Sequence, residues 1–97
     1  MSRPQWTRQL ERDVIERDDK SCINCGRPAA DIHHIVARRG KKYSKKVWRI
    51  ENMCCICRDC HVDGQTVWMR VQLLQRMQVL YGYDMDWAKD EVVMEEA

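Results

Sequence analysis

The sequence has no long apolar run and no apolar segment at its N-terminus. Its longest apolar stretches fall far short of the roughly 20 residues that a membrane-spanning helix needs. Met1 leads directly into charged, helix-like sequence, without the apolar core and small-residue cleavage site of a secretory signal. Internal repeats and low-complexity segments are also lacking. We therefore expect a protein of the reducing cytoplasm with no membrane partner.

The length and the six cysteines constrain the fold together. A chain of 97 residues can form one small domain but not two independent cores, so residues 1–97 are expected to share one fold. Domains of this size commonly depend on a metal or on disulfides, because they bury little surface. In a reducing compartment, paired cysteines favour a metal over a disulfide. The cysteines are therefore predicted to include metal ligands.

The net charge of +2 conceals two opposed patches. Residues 38–49 contain seven basic side chains and no acid, whereas residues 84–97 contain six acids and one lysine. A basic segment favours a polyanion such as DNA, because lysine and arginine neutralise phosphates. For any single lysine, a solvated charged loop is the alternative. The DNA-binding residues predicted from this segment are Arg38, Arg39, Lys41, Lys42, Lys45 and Lys46.

The hydrophobic pattern predicts an α+β fold. Residues 4–18 repeat apolar side chains every four positions, which predicts an N-terminal amphipathic helix. Short segments at residues 31–37 and 47–56 are predicted to pair as an antiparallel hairpin across the basic loop. A longer amphipathic helix is predicted over residues 65–81. The acidic tail, residues 84–97, is open between one more short helix and a frayed end.

Two Cys-x-x-Cys pairs are predicted to hold one structural zinc ion. Cys22 and Cys25 form the first pair, and the second is either Cys54 with Cys57 or Cys57 with Cys60. We choose Cys57 and Cys60, because they lie at a predicted strand-to-helix junction, whereas Cys54 lies inside an apolar strand. A closed set of four thiolates has no open position and is therefore structural. A redox dithiol or plain core packing are the alternatives.

The three histidines of the chain lie near these cysteines. His33 and His34 are adjacent in the first predicted strand, so their side chains should point to opposite faces and serve two different roles. His61 follows the second cysteine pair directly and could reach back to the same strand. A second metal site, accessible to oxygen ligands, would result. A lone histidine in a strand is more often a packed or surface residue.

Cysteines, histidines and one asparagine form a specific pattern along the chain. Its segments are Cys22-x-x-Cys25, Asp31-Ile-His33-His34-Ile35, Glu51-Asn52-Met53 and Ile56-Cys57-x-x-Cys60-His61. The order and spacing resemble those of the HNH nuclease family, and the N-terminal helix resembles that of the small HNH proteins of bacteria and their phages. The family often has a proline after the histidine pair and a Gly-Gly in the loop. Both are absent here. This difference affects the expected shape of the loop and not the expected chemistry.

The resemblance implies a ββα-metal fold, also called a His-Me finger, with a treble-clef-like, zinc-stapled core over residues 22–61. It implies that His34 is the general base that takes a proton from the attacking water, and that Asn52 orients this base through hydrogen bonds. His33 and His61 are implied to bind one catalytic divalent cation, Mg²⁺ or Mn²⁺. The zinc is then structural and the second metal catalytic.

The resulting hypothesis is a metal-dependent DNA endonuclease that hydrolyses phosphodiester bonds. We expect a monomer that nicks double-stranded DNA with weak sequence specificity, in a bacterial cell or a phage-infected host, with phage packaging or other DNA-processing proteins as potential partners. A non-catalytic, treble-clef-like zinc module that binds nucleic acid through residues 38–49 is the alternative. A thiol redox protein is a third hypothesis, and it requires reactive cysteines of low pKa.

Overall fold

One helix, a two-stranded sheet and three further helices follow one another along the described chain. The computed structural model describes residues 4–37, 43–64 and 66–94. The α+β class predicted from the sequence is confirmed. In these ranges the elements are α1 (Gln5–Arg17), β1 (Asp31–His34), a 3₁₀ turn (Ile50–Asn52), β2 (Met53–Ile56), α2 (Arg58–Asp63), α3 (Val67–Tyr81) and α4 (Asp86–Met94).

The amphipathic stripe of α1 packs against β2. Val14 is fully buried, and Trp6 and Leu10 are partly buried against the core. These three side chains recur every four residues and therefore lie on one face of the helix, as the sequence predicts. Pro4 precedes the first helical residue, a position where its missing N–H removes no intrahelical bond.

Arg17 and Asp18, at the end of α1, form a buried ion pair that joins three elements. Arg17 Nε donates to Asp18 Oδ1 at 2.8 Å, and its guanidinium also donates to two backbone carbonyl oxygens near the start of β2. Asp18 accepts a hydrogen bond from the backbone N–H of Cys55 at 2.8 Å. It also accepts one from the hydroxyl of Tyr81, at the end of α3. The pair therefore fixes α1 to both β2 and α3.

β1 and β2 form an antiparallel pair, as predicted, with His34 opposite Met53 and Asp31 opposite Ile56. All four residues of β2 are buried. Cys54 and its neighbour Cys55 pack there as small apolar side chains, which is common for free cysteine. The sheet thus forms the centre of the core. Its strand β1 contains His33 and His34.

Both strands are shorter than the sequence predicts. The first strand was expected over residues 31–37 but ends at His34, because the backbone of Ile35 and Val36 turns to bond with Asn52. The second was expected over residues 47–56, but residues 47–49 are irregular and a 3₁₀ turn follows them. That part of the prediction is wrong. The hydrophobic residues there are buried by loop packing rather than by strand pairing.

The two C-terminal helices cover the rest of the core. α3 ends at Gly82, whose φ of +71° is a left-handed conformation that favours glycine. α4 packs against α3. For the acidic tail, where the sequence allowed either a short helix or a frayed end, the structure has a helix over Asp86–Met94. None of the described helices has the length and apolar character needed to cross a bilayer. The fully buried side chains of this region are Leu73, Leu74, Met77, Met85, Ala88 and Val92.

Candidate metal centre and histidine pair

The four cysteines chosen from the sequence meet in one cluster. The sulfur atoms of Cys22, Cys25, Cys57 and Cys60 all lie within 4.8 Å of one another. Within the described ranges they form the single group of three or more His, Cys, Asp or Glu side chains that can hold a metal ion. Cys54 is fully buried elsewhere in the core. The structure thus selects Cys57 with Cys60 as the second pair, over Cys54 with Cys57, although the two pairs have the same spacing in the sequence.

The spacing of the sulfur atoms fits a tetrahedral zinc site. Zinc–sulfur bonds of about 2.3 Å place the sulfurs of a tetrahedron about 3.8 Å apart. The Sγ atoms of Cys25 and Cys57 are 3.6 Å apart, and each of them comes from a different half of the cluster. None of the four cysteines is in a disulfide. The cluster can therefore hold a structural metal such as zinc.

Backbone geometry around the cysteines explains how two short segments converge. In the first pair, the N–H of Gly26 donates to the carbonyl oxygen of Cys22 at 2.8 Å, and the φ of Gly26 is +81°. Glycine suits this left-handed turn, which folds Cys25 back toward Cys22. In the second pair, Cys57 caps the N-terminus of α2, and its Sγ accepts from the N–H of Cys60 at 3.5 Å. Each pair is therefore a tight turn that presents two sulfurs.

The thiol pKa values differ strongly across the cluster. A backbone hydrogen bond from Arg27 is the main cause that lowers the pKa of Cys25 to about 6. The amide of Asn24 lowers the pKa of Cys60, but burial and the neighbouring thiols together raise it to about 12. A bound cation favours the thiolate form of every ligand. A low thiol pKa also suits the redox hypothesis, but the convergence of four sulfurs is the arrangement of a metal site.

His33 and His61 come together although they lie on different elements. His33 is on β1 and His61 is on α2, and their ring centroids are 5.0 Å apart with the planes at 65°. His33 is 3% exposed, and its Nε2 has no hydrogen-bond partner in the described part of the chain. A Cβ atom at Gly64 would lie 3.3 Å from this Nε2. The end of α2 therefore approaches His33 closely, and a side chain at that position would crowd it.

The environment of His33 keeps its ring neutral. Burial is the main cause that lowers the pKa of His33 to about 3, electrostatic repulsion by the His61 and Arg70 side chains acts in the same direction, and the nearby backbone of Gly64 opposes this shift. A neutral imidazole has one nitrogen lone pair available for a metal ion. A buried polar atom without a partner costs free energy, so its presence in a folded protein calls for an explanation such as ligand binding. His33 and His61 therefore place two imidazole rings, a side chain that can bind metal ions, close together.

His34 lies on the opposite side of β1 from His33, as adjacent strand residues must. Its ring packs edge-to-face on Trp48, with centroids 4.5 Å apart. Trp48 is buried and contacts Trp6 of α1 at a centroid distance of 6.1 Å. The sequence expectation that the two histidines face different surroundings is confirmed. Because β1 ends at His34, this ring lies at the end of the strand.

Asn52 is fully buried and connects the two ends of the basic loop. Its Nδ2 donates to the carbonyl oxygens of Val36, at 3.2 Å, and Val47, at 2.8 Å. Its Oδ1 accepts from the backbone N–H of Val36 at 2.8 Å. These bonds act on the backbone two residues beyond His34. These side-chain bonds therefore hold the backbone beyond His34, and they do not reach the His34 ring that Asn52 was expected to orient.

The described part of the basic segment, residues 43–49, contacts the acidic helix α4. Lys46 forms an ion pair with Glu91 of α4, with 2.5 Å between Nζ and Oε1, and Lys45 lies over the ring of Trp6 at 5.6 Å. Arg49 stacks on Trp87 of α4 at 4.1 Å. The sequence showed the two opposed patches but not their contact. Four of the predicted DNA-binding residues lie outside the described residues: Arg38, Arg39, Lys41 and Lys42.

Two neighbouring features therefore require a functional explanation: a four-sulfur cluster and a histidine pair beside it. His61 follows Cys60 directly, so the second cysteine pair positions one member of the histidine pair. Comparison of the chain with protein-family models, with curated proteins and with solved structures found no match.

Proposed function

We propose that this protein is a metal-dependent DNA endonuclease of the HNH type, with a ββα-metal core that hydrolyses phosphodiester bonds and nicks one strand of a duplex. The support is the order of β1, β2 and α2, with His33 and His34 on β1 and His61 on α2. The observation that carries the proposal is the approach of His33 to His61, with the Nε2 of His33 buried and without a partner. A nucleic-acid-binding zinc module would not require this pair.

The histidine pair would hold one divalent cation, Mg²⁺ or Mn²⁺. Two neutral imidazoles leave most of the coordination positions of such an ion to water and phosphate oxygens. When bound, the cation supplies a Lewis acid that stabilises the charge developing on the leaving oxygen. His33 and His61 therefore serve to bind and position, and the proton transfer requires another residue.

His34 is the proposed general base. An imidazole titrates near neutrality and can accept a proton from the attacking water at physiological pH. His34 and His33 face opposite sides of β1, but the strand ends at His34. A phosphate that contacts both side chains would have to lie across this end, and it would require the buried Nε2 atoms of both rings to become accessible. Packing on Trp48 limits the orientations of the His34 ring, and Asn52 holds the backbone that follows it.

The four-cysteine zinc site would hold this constellation in place. Cys57 caps α2, and Cys60 lies in α2 immediately before His61. Since Cys22 and Cys25 belong to the turn that precedes β1, a zinc ion on all four sulfurs would connect α2 to the chain entering β1. The zinc is then structural. It would contribute to catalysis by fixing the distance between α2, which contains His61, and β1, which contains His33 and His34.

Substitution of Lys46 tests the proposed DNA contact. Lys46→Ala is expected to weaken binding to duplexes of any sequence and to reduce the slope of log affinity against log salt by about one. Glu91→Gln is expected to tighten binding, because the lysine then loses its competing carboxylate. Fluorescence anisotropy across a salt series measures both effects. Lys89→Ala, an exposed lysine of α4, is the matched control, and an equal loss for Lys46→Ala and Lys89→Ala would contradict the assignment.

Plasmid nicking tests the proposed activity and its base. Zinc-loaded protein is incubated with supercoiled plasmid and Mn²⁺ or Mg²⁺, beside His34→Ala with the same zinc content. We expect His34→Ala to lower the nicking rate by about 10²–10⁴-fold. Gln75→Ala, an exposed residue of α3, is the control for nonspecific effects. Equal rates for the wild type and His34→Ala would remove His34 from the mechanism, and no nicking with any divalent cation would favour the binding module.

A further inference from the structure

Asp31 connects the two elements that carry the histidine pair. Its Oδ2 lies 3.0 Å from Nδ1 of His61, and Asp31 is on β1, two residues before His33. Side chains at i and i+2 of a strand lie on the same face of the sheet. The carboxylate therefore projects from the same face as His33 and meets α2 there. This contact joins residues that are 30 positions apart in the chain.

The chemistry of this contact determines which nitrogen of His61 carries the proton. A carboxylate has acceptor atoms only, so the hydrogen bond requires a proton on Nδ1. In the neutral ring, Nε2 then lacks a proton and has a free lone pair. Histidines that bind metals commonly donate their other N–H to a carboxylate, which fixes the tautomer and the ring orientation. Asp31 is such a carboxylate for His61.

We infer that Asp31 is a positioning residue that fixes His61 in the Nδ1–H tautomer and directs its Nε2 toward the cation held with His33. This inference deepens the proposed function and rests on it for the identity of the cation. The same carboxylate also approaches Arg58, one turn before His61 on α2, with 3.3 Å between Nε and Oδ2. Arg58 is 74% exposed in its side chain, so this ion pair contributes little on its own.

The tautomer can be measured without any catalytic metal. Long-range ¹H–¹⁵N correlation NMR of the zinc-loaded protein, at mildly alkaline pH, distinguishes a protonated from an unprotonated ring nitrogen. We expect the wild type to carry the His61 proton on Nδ1. In Asp31→Asn, the amide can donate as well as accept, so a substantial fraction of His61 should carry the proton on Nε2. A wild-type ring protonated on Nε2, or the same tautomer in both proteins, would overturn the inference.

Titration with Mn²⁺ provides the second readout. Loss of a carboxylate that orients a metal-binding histidine typically lowers metal affinity by about 10–100-fold, and we expect a decrease of this size in Asp31→Asn. Asp59→Asn removes a carboxylate of the same helix that is 81% exposed, and it should change neither the tautomer nor the affinity. Equal Mn²⁺ affinity in the wild type and Asp31→Asn would overturn the role toward the cation. If the tautomer changes but the wild type binds no Mn²⁺, positioning by Asp31 is upheld and the proposed nuclease function fails.

Discussion

Replacing Cys57 by alanine is expected to release the bound zinc and to leave the chain without a stable fold. Cys57 contributes one sulfur to the cluster and caps α2. Structural zinc contributes an apparent free energy of about 10–16 kcal/mol in zinc-finger peptides, whereas a whole domain is stable by about 5–15 kcal/mol. Loss of the metal therefore removes as much free energy as the fold has. Zinc content by mass spectrometry and a thermal melt measure the two effects.

Cys54→Ala is the matched control for this experiment. Cys54 lies three residues before Cys57, as Cys60 lies three residues after it, but Cys54 is buried in β2 away from the cluster. We expect about one zinc per chain to remain bound, with a loss of about 1 kcal/mol in the free energy of unfolding from the removed sulfur. Equal zinc loss in Cys54→Ala and Cys57→Ala would show that the cluster uses another set of cysteines.

Asp18→Ala is expected to cause a large loss of stability outside the zinc site. It removes the acceptor for the Arg17 guanidinium, for the N–H of Cys55 and for the Tyr81 hydroxyl. Removing one partner of a buried ion pair costs about 3–5 kcal/mol, because a charge stays buried without compensation. Urea denaturation of the zinc-loaded protein measures this loss.

The contact with Tyr81 allows a graded version of the same test. Burial and the hydrogen bond to Asp18 raise the pKa of Tyr81 to about 12, so its hydroxyl is a neutral donor at physiological pH. Tyr81→Phe should therefore cost about 1–2 kcal/mol, less than Asp18→Ala. Glu16→Ala, an exposed carboxylate of α1, should change the free energy of unfolding by less than about 0.5 kcal/mol. Equal effects for Glu16→Ala and Asp18→Ala would contradict a buried ion pair.

Local patterns in the sequence were sufficient to predict several elements. Apolar spacing predicted α1 and α3, because a helix brings every third or fourth residue to one face. The two cysteine pairs predicted a cluster, since a Cys-x-x-Cys turn brings its own two sulfurs together. Alternation along β1 predicted that His33 and His34 would have different neighbours. Each of these predictions depends on residues close together in the chain.

Contacts between distant residues were beyond what the pattern could predict. Asp18 stands at the end of the predicted helix over residues 4–18, where nothing marks it as buried. It is nevertheless buried beside Arg17 and Tyr81, and Tyr81 lies 63 positions away. Residues 47–52 were included in the second predicted strand, over residues 47–56, but they form a loop and a 3₁₀ turn that the hydrogen bond from Asn52 to Val47 holds on the core. Such residues satisfy burial and hydrogen bonding through tertiary contacts that local propensity does not encode.

The contact between Asp31 and His61 shows where a signal was present but insufficient. An acid two residues before His33 on the same strand face is visible in the sequence, whereas the position of α2 over that face is not. The packing of α4 on the basic segment is a similar case. The sequence showed two segments of opposite charge but not their contact, and the stacking of Arg49 on Trp87 required the three-dimensional arrangement.

Conversion of supercoiled plasmid to the open-circular form by the zinc-loaded wild type, before and after addition of Mn²⁺, tests the central claim most directly. We expect nicking that requires the added cation and that His34→Ala slows by about 10²–10⁴-fold at unchanged zinc content. Absence of nicking with Mn²⁺ and with Mg²⁺, in a protein that contains one zinc per chain and binds DNA, would contradict it.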